Sequence, residues 1–351
     1  MIPQKIKQKL MDGTVIPAHP LALNEDKTLD ENGQRALTRY YIEAGAGGVA
    51  VGVHTTQFEI RDPEINLYER VLGLAMEEIE TADVKHDFIK VAGLAGRTEQ
   101  AVKEAEFAAG KGYDLGLLSM GGLNDWSEEE LLDRARKVAD IIPLFGFYLQ
   151  PAVGGRRLSY DFWKAFAEIP NVHAIKIAPF DRYCTLDVVR AVAASTRNDQ
   201  IALYTGNDDN IVADLLTNYK VQTDQGVVEK QIVGGLLGHW SVWTKKAVDL
   251  FEQVQQDREQ GHISSELLIA GQEVTDANAA FFDSANQFKG SIAGINEVLR
   301  RQGLLKGNWC LMDHETLSPG QSEEIDRIFS QYPHLSDNEF VRANVNRWRQ
   351  E

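Results

Sequence analysis

The chain has 351 residues, 43% of them hydrophobic, and carries 36 Lys and Arg against 52 Asp and Glu, a formal net charge of −16. That content can fill a large core, while so strong a negative excess disfavours nucleic acid and anionic membrane surfaces as partners. No stretch approaches 18 apolar residues, residues 1–13 lack the apolar centre of a secretory signal, and two cysteines, Cys184 and Cys310, imply no disulfide framework, so a cytoplasmic protein without a membrane span is expected.

After a basic run at 5–9, read as an exposed leader, short apolar runs alternate with amphipathic segments to about residue 260. The runs lie at 14–18, 48–53, 89–94, 115–119, 145–150, 172–178, 201–206 and 232–239, each bounded by Gly, Pro, Asp or Asn. Between them, 32–43, 99–111, 128–141, 186–195 and 244–256 have helical periodicity. Strands alternating with helices predict a parallel sheet, and eight such units favour a (β/α)8 TIM barrel over an open sheet. Two features interrupt the rhythm. Residues 62–83 form a longer helical stretch, read as two helices, and 219–233 read as a hairpin inserted before the eighth strand, turning at Asp224, Gln225 and Gly226. Beyond 262 the strand signals stop, and 274–301, 319–331 and 336–349 read as helices. The expected organisation is therefore a barrel over residues 1–261 with a C-terminal helical region, 262–351, packed on it.

In VHAIKIAPF, residues 172–180, alternation puts Val172, Ala174 and Lys176 on one face and His173, Ile175 and Ile177 on the other. Helices cover the outside of a barrel, so Lys176 is expected inside, near the strand end where barrel active sites lie. Burial would lower its pKa and leave a partly neutral amine able to condense with a ketone. A rim lysine, snorkelling or paired with a carboxylate, would leave the same pattern. In FGFYLQP, residues 145–151, Phe145, Phe147 and Leu149 share one face, and Gly146, Tyr148 and Gln150 the other. Taking the polar face as the inner one places Tyr148 beside Lys176, across the roughly 4.8 Å that separates neighbouring strands. There a phenol could relay protons; otherwise Tyr148 is a core tyrosine with a satisfied hydroxyl.

After the second strand, Thr55 and Thr56 offer hydroxyls and backbone amides that could hold a carboxylate, or that cap the following helix. His239, with Trp240 and Trp243, either lines the pocket or packs at the rim. Residues 93–98, GLAGRT, lack the lysine and the glycine spacing of a phosphate loop, and the eight histidines show no metal-ligand spacing. No metal site is expected.

Together these residues resemble the dihydrodipicolinate synthase / N-acetylneuraminate lyase family of class I aldolases. DGTVIPAHPLALNEDKTLDENGQRAL looks like the family's first strand and helix, and GVHTTQFE like its Gly-Thr-Thr-Gly-Glu loop. FYLQP looks like its Tyr-x-x-Pro motif, AIKIAPFD like its Schiff-base strand with the lysine at Lys176, and TGNDD like its Gly-x-Asp loop after strand seven. The order covers about residues 12–331, and the 28-residue spacing from Tyr148 to Lys176 is its most specific element. The resemblance implies that Lys176 forms a covalent imine with pyruvate or another 2-oxo acid, with no further cofactor. It implies that Tyr148 relays protons, that Thr55 positions Tyr148, that Thr56 binds the carboxylate and that Gly206 lies against the substrate. It also implies a homo-oligomer, a dimer or a tetramer.

The chain departs from the pattern at His54, Gln57 and Phe58 in the Thr-Thr loop, and no tyrosine occurs at 119–125, where the synthases complete a relay. Val153 stands where they place an arginine, although Arg156 and Arg157 follow and could receive the distal part of an acidic substrate. They could equally begin the next helix. The expected function is a Schiff-base lyase or aldolase. The alternatives are a Schiff-base dehydratase or hydratase of a sugar-derived 2-oxo acid, and a non-catalytic 2-oxo acid sensor on the same fold.

Overall fold

A computed structural model describes residues 2–82, 84, 86–224 and 226–350. In chain order its elements are α1 (Gln4–Asp12), β1 (Val15–Pro17), α2 (Glu31–Ala44), β2 (Gly48–Val51), α3 (Tyr68–Thr81), β3 (Ile89–Leu94), α4 (Thr98–Gly110), β4 (Leu115–Ser119), α5 (Glu128–Ala139), β5 (Leu144–Leu149) and α6 (Tyr160–Ala167). There follow β6 (Val172–Ala178), α7 (Arg182–Ala193), β7 (Ala202–Thr205), α8 (Ile211–Leu216), β8 (Asn218–Thr223), β9 (Gly226–Leu237), α9 (Thr244–Gln260), α10 (Ser265–Phe281), α11 (Ser291–Arg301), α12 (Gln321–Gln331) and α13 (Asn338–Trp348). Eight parallel strands, β1 to β7 and β9, alternate with helices as a (β/α)8 barrel, the fold that periodicity predicts. No helix among the described residues is long and apolar enough to cross a membrane.

The chain divides into two compact units, the first made of Met1–Thr14 and Ile89–Leu236. Within it the parallel order is β3-β4-β5-β6-β7-β9. Strands β3 to β7 are buried along nearly their whole length, as expected where both faces are covered. Ser127 caps α5 reciprocally with Glu130, and Asp181 caps α7 by accepting the Tyr183 and Cys184 amides, so both helices start at residues whose side chains satisfy free N–H groups.

The basic run at 5–9 is not an exposed leader. It lies in α1, whose Ile6 and Leu10 are buried and whose Leu10 carbonyl accepts the Tyr204 hydroxyl at 3.0 Å. Gly13 then turns at φ 85°, where a Cβ would stand 1.9 Å from the Val233 carbonyl oxygen, so only glycine fits. The predicted hairpin exists, pairing Asn218 with Gln231 through to Thr223 with Gly226, but its second strand is no separate insertion. It is the first half of β9, which continues into the barrel beside β7. Gln225 of the predicted turn lies outside the described residues.

The second unit comprises Val15–Phe88 and Leu237–Glu351. Here β1 and β2 meet at a parallel bridge between Ala18 and Ala50. The stretch expected as two helices at 62–83 holds one, α3, preceded by a 3-10 turn at Phe58–Arg61; Asp83 lies outside the described residues. The single helix expected at 274–301 is two, α10 and α11. Between them Asp283, Gln287 and Phe288 adopt positive φ, and the Asp283 carboxylate accepts the Gly290 N–H at 3.0 Å. That bond offers the backbone an alternative to the helical ladder, and nothing in the apolar periodicity marks it. Near the C-terminus, Trp348 is buried against Tyr40 and Phe340, and Tyr40 donates to Asp337 at 2.7 Å.

Candidate active site

Register decides which side chains share a face in the first unit. Phe147 of β5, Lys176 of β6 and Tyr204 of β7 are neighbours across three parallel strands and therefore point the same way. So do Phe145, Ala174 and Ala202, and the Phe145 ring meets Tyr204 edge-on at 5.2 Å. The inward expectation for Lys176 holds: the residue is 7% exposed, and its Nζ stands 4.4 Å from the centroid of the Phe147 ring. Burial pulls its pKa from 10.5 to about 8, against the opposing pull of the Asp208 charge.

Gly206, at the end of β7, makes room for this lysine. Its N–H donates to the Ile177 carbonyl at 2.7 Å, and a Cβ there would lie 2.5 Å from the Lys176 Cε and 2.8 Å from the Ala178 Cβ. The glycine is thus spent on the lysine's own stem. Its loop is locked from behind by Asp214 of α8, which is fully buried. The Asp214 carboxylate accepts from the Thr205 hydroxyl at 2.7 Å, the Asn207 amide at 3.0 Å and the Asn210 amide at 3.1 Å, and pairs with Arg182. Asn207 in turn accepts the Phe180 N–H at 3.0 Å, joining the ends of β6 and β7. Asp208, between these anchors, is 7% exposed.

Tyr148 is not on the lysine's face. It is the register partner of Ile177, one residue out of phase with the Phe147–Lys176 pair. Its ring packs on Trp163 of α6 at 5.2 Å, and its hydroxyl lies 3.4 Å from the Leu158 carbonyl and 3.3 Å from the Leu158 N–H. Gly146, on the same side, faces Phe166 of α6. The assumption that the polar face of β5 points inward is what fails, because the hydroxyl finds backbone partners under the helix layer. Burial foremost, then Cys184, pushes the phenol's pKa upward. We therefore expect Tyr148→Phe to cost about 1 kcal/mol of stability for the lost hydrogen bonds, yet to change kcat less than about threefold. A fall of a hundredfold or more in kcat, in a variant that melts normally, would restore the phenol to the chemistry.

The arginines of the β5 loop are placed unequally. Arg156 Nη1 donates to the Leu123 and Trp126 carbonyls at 2.9 and 2.8 Å, tying this loop to the one after β4. Arg157 is mostly exposed and pairs with Asp181 at 3.2 Å. Neither begins α6, which starts at Tyr160 behind the cap Ser159.

In the second unit, the Thr55 hydroxyl donates to the Ala18 carbonyl at 2.8 Å and the Thr56 hydroxyl to the His19 carbonyl at 2.6 Å. Thr56 also accepts the Gly52 and Val53 amides at 3.0 and 3.2 Å. A hydroxyl has one proton, and each of these is spent on the main chain, so the pair ties the β1 and β2 loops together. The neighbouring Gln57, at φ 68°, accepts the Leu311 N–H at 2.6 Å. His239 is buried, stacked on Phe281 of α10 and edge-on to Trp243, and burial drops its pKa to about 4 despite a hydrogen bond with Asn278. It is neutral at physiological pH and packs against a C-terminal helix.

Sequence reasoning missed Phe147 and Asp208. Alternation with the polar face inward puts Phe147 on the outer face, and Asp208 appears in the sequence only as part of a loop motif; strand register is needed for the first and the loop's packing for the second. Among the described residues no three His, Cys, Asp or Glu side chains gather as a metal ion would require.

Residues 12–220 match the Dihydrodipicolinate synthetase family. Over 187 residues the chain is 29% identical to the 4-hydroxy-tetrahydrodipicolinate synthase of Thiobacillus denitrificans, a match covering 53% of this chain and 60% of that relative's length. Among solved structures, the dihydrodipicolinate synthase of Oceanobacillus iheyensis superposes with a TM-score of 0.74 at 15% identity, over 94% of this chain and 99% of that one. The Acinetobacter baumannii synthase, complexed with pyruvate, gives 0.73 at 19% identity, covering 92% and 99%. The N-acetylneuraminate lyase of Fusobacterium nucleatum gives 0.70 at 17% identity, covering 92% and 99%. At these identities the structural likeness is one of fold, but the family match extends over well more than half of the sequence: the chain belongs to the Dihydrodipicolinate synthetase family.

Proposed function

We propose that this chain is a lyase of the class I aldolase type, forming a Schiff base between Lys176 and pyruvate or another 2-oxo acid. The observation that carries the reading is an interior lysine whose pKa burial lowers to about 8. At pH 7 about 10% of such an amine is neutral, against about 0.03% for an ordinary lysine, roughly a 300-fold gain in nucleophile. The neutral Nζ attacks the ketone carbon, water leaves, and the resulting imine draws electrons from the adjacent carbon, so that a carbon–carbon bond there can form or break. The relative's synthase activity and the pyruvate bound by the Acinetobacter protein support pyruvate as the first substrate to test.

In this reading Arg157, beside the mouth of β5, is the cation that meets the distal acidic group of the substrate. Arg156 holds the loop that carries it. Because Val153 replaces the synthases' arginine, aspartate semialdehyde is not the acceptor we expect. A second reading, a non-catalytic 2-oxo acid sensor, is favoured by one observation: an aromatic ring without a hydroxyl, Phe147, stands against the amine. Turnover separates the two, and the carbon count of the products separates cleavage from dehydration.

The test is reductive trapping with pyruvate and cyanoborohydride, with the adduct mapped by mass spectrometry to the peptide holding Lys176. Because the neutral amine reacts and its pKa is lowered, the trapping rate should rise about tenfold per pH unit below pH 8 and level off above it. A midpoint near 10, or an adduct confined to other lysines, would overturn the reading.

A further inference from the structure

An imine mechanism needs a group that moves protons at the lysine nitrogen and at the substrate carbon. The side chains that share Lys176's face on β5, β6 and β7 are apolar or aromatic, Phe145, Phe147, Ala174, Ala202 and Tyr204 among them. Only Tyr204 carries an ionisable group, and its hydroxyl is turned away to the Leu10 carbonyl of α1. Tyr148 faces the helix layer. The loop after β7 adjoins the lysine directly. At Gly206 this loop touches the lysine stem so closely that no Cβ fits, and two residues further along it lies Asp208, as deeply buried as Lys176 itself.

We propose that Asp208 is the acid–base group of the Lys176 imine, doing with a carboxylate what a phenol would do from β5. This rests on the lysine-imine reading above. Three things support it. The Asp208 charge raises the Lys176 pKa against the larger, lowering effect of burial, and Asp208 lies in the same buried loop as the Gly206 that packs on the lysine stem. The loop holding Asp208 is fixed through Thr205, Asn207 and Asn210 to the buried Asp214, so little rearrangement precedes proton transfer. And Phe147 walls the amine on the strand side with a ring that cannot exchange a proton.

The proton balance is simple. When the neutral Nζ adds to the ketone carbon, Asp208 carries each of the two N–H protons in turn to the former carbonyl oxygen. That oxygen leaves as water, and Asp208 ends ionised, as it began. Solvent protonates the imine nitrogen. Asp208 then removes a proton from C3, the C–H electron pair moving into the C2–C3 bond while the C=N pair falls onto nitrogen to give the enamine.

The experiment follows two readouts on the full chain with pyruvate: exchange of the methyl protons for deuterium by NMR, and the final amount of adduct trapped at Lys176. Asp208→Asn is expected to slow exchange by about 10²–10⁴, while the trapped adduct still accumulates on long incubation. Asp208→Glu, which keeps a carboxylate displaced by one methylene, should fall between wild type and Asn. If Asp208→Asn does not fold, the glutamate variant decides alone: slowing by tenfold or more with an unchanged trapped endpoint supports the assignment, and wild-type exchange overturns it. Exchange in a folded Asp208→Asn within tenfold of wild type also overturns it. A wild-type protein that neither exchanges nor traps pyruvate refutes the lysine-imine reading itself, and this assignment with it.

Discussion

Lys176→Ala is expected to abolish trapping by 2-oxo acids and to lower any turnover by about 10⁴ or more, a loss of at least about 5 kcal/mol of transition-state stabilisation. In the proposed imine reaction the amine nitrogen is the bond-forming atom, so no other group replaces it in part. Stability should change little. The variant leaves a small cavity beside Phe147 but also removes an amine whose charged form is penalised by burial. A melting temperature near wild type with no adduct is therefore the expected pair of results. The informative control is Lys230, whose pKa burial also lowers to about 8. Its Nζ, however, donates to the Asn198 and Ile201 carbonyls, so it is a structural donor rather than a presented nucleophile. Lys230→Ala should leave trapping intact. An adduct that survives Lys176→Ala and disappears with Lys230→Ala would place the chemistry at Lys230 and overturn the assignment of Lys176.

Asp214→Ala should be the most destabilising single change near the site. Two buried neutral donors, from Thr205 and Asn207, and the half-buried Asn210 amide would lose their acceptor, and an unpaired buried donor costs about 1–3 kcal/mol. The Arg182 pair adds less, since that guanidinium is substantially exposed. Allowing for relaxation, we expect a loss of about 3 kcal/mol and a melting temperature lower by about 5 °C. Activity should fall further than stability explains, because the same carboxylate anchors the loop that bears Gly206 and Asp208. Asp214→Asn, which retains one oxygen acceptor, should be intermediate in both. A variant that melts within a degree of wild type would show that these hydrogen bonds are replaced by others.

How far the chain could be read before folding depended on the kind of signal. Strand and helix alternation from β1 to β9 is written in short apolar runs bounded by turn residues, and a barrel follows from counting them. The inward parity of Lys176 was equally legible, because β6 is asymmetric: the small residues Val172 and Ala174 flank the lysine, while Ile175 and Ile177 fill the helix side. In β5 the same rule misled, because aromatic residues occupy both faces and a tyrosine can satisfy its hydroxyl on backbone groups beneath a helix. The Thr-Thr pair is recognisable as a motif, but where its two protons go depends on carbonyls 37 residues away in sequence.

Composition and periodicity thus account for the layered architecture, and strand parity for the inward lysine, since both depend on local order along the chain. Phe147 rather than Tyr148 at the amine, the service of Gly206 to the Lys176 stem and the burial of Asp208 come from strand register and from loops packing across strand ends. The break between α10 and α11 at Asp283 and the burial of Trp348 against α2 likewise depend on partners distant in sequence. A one-residue change of register reverses every side chain on a strand, and no local pattern states which of two apolar faces the rest of the molecule will cover.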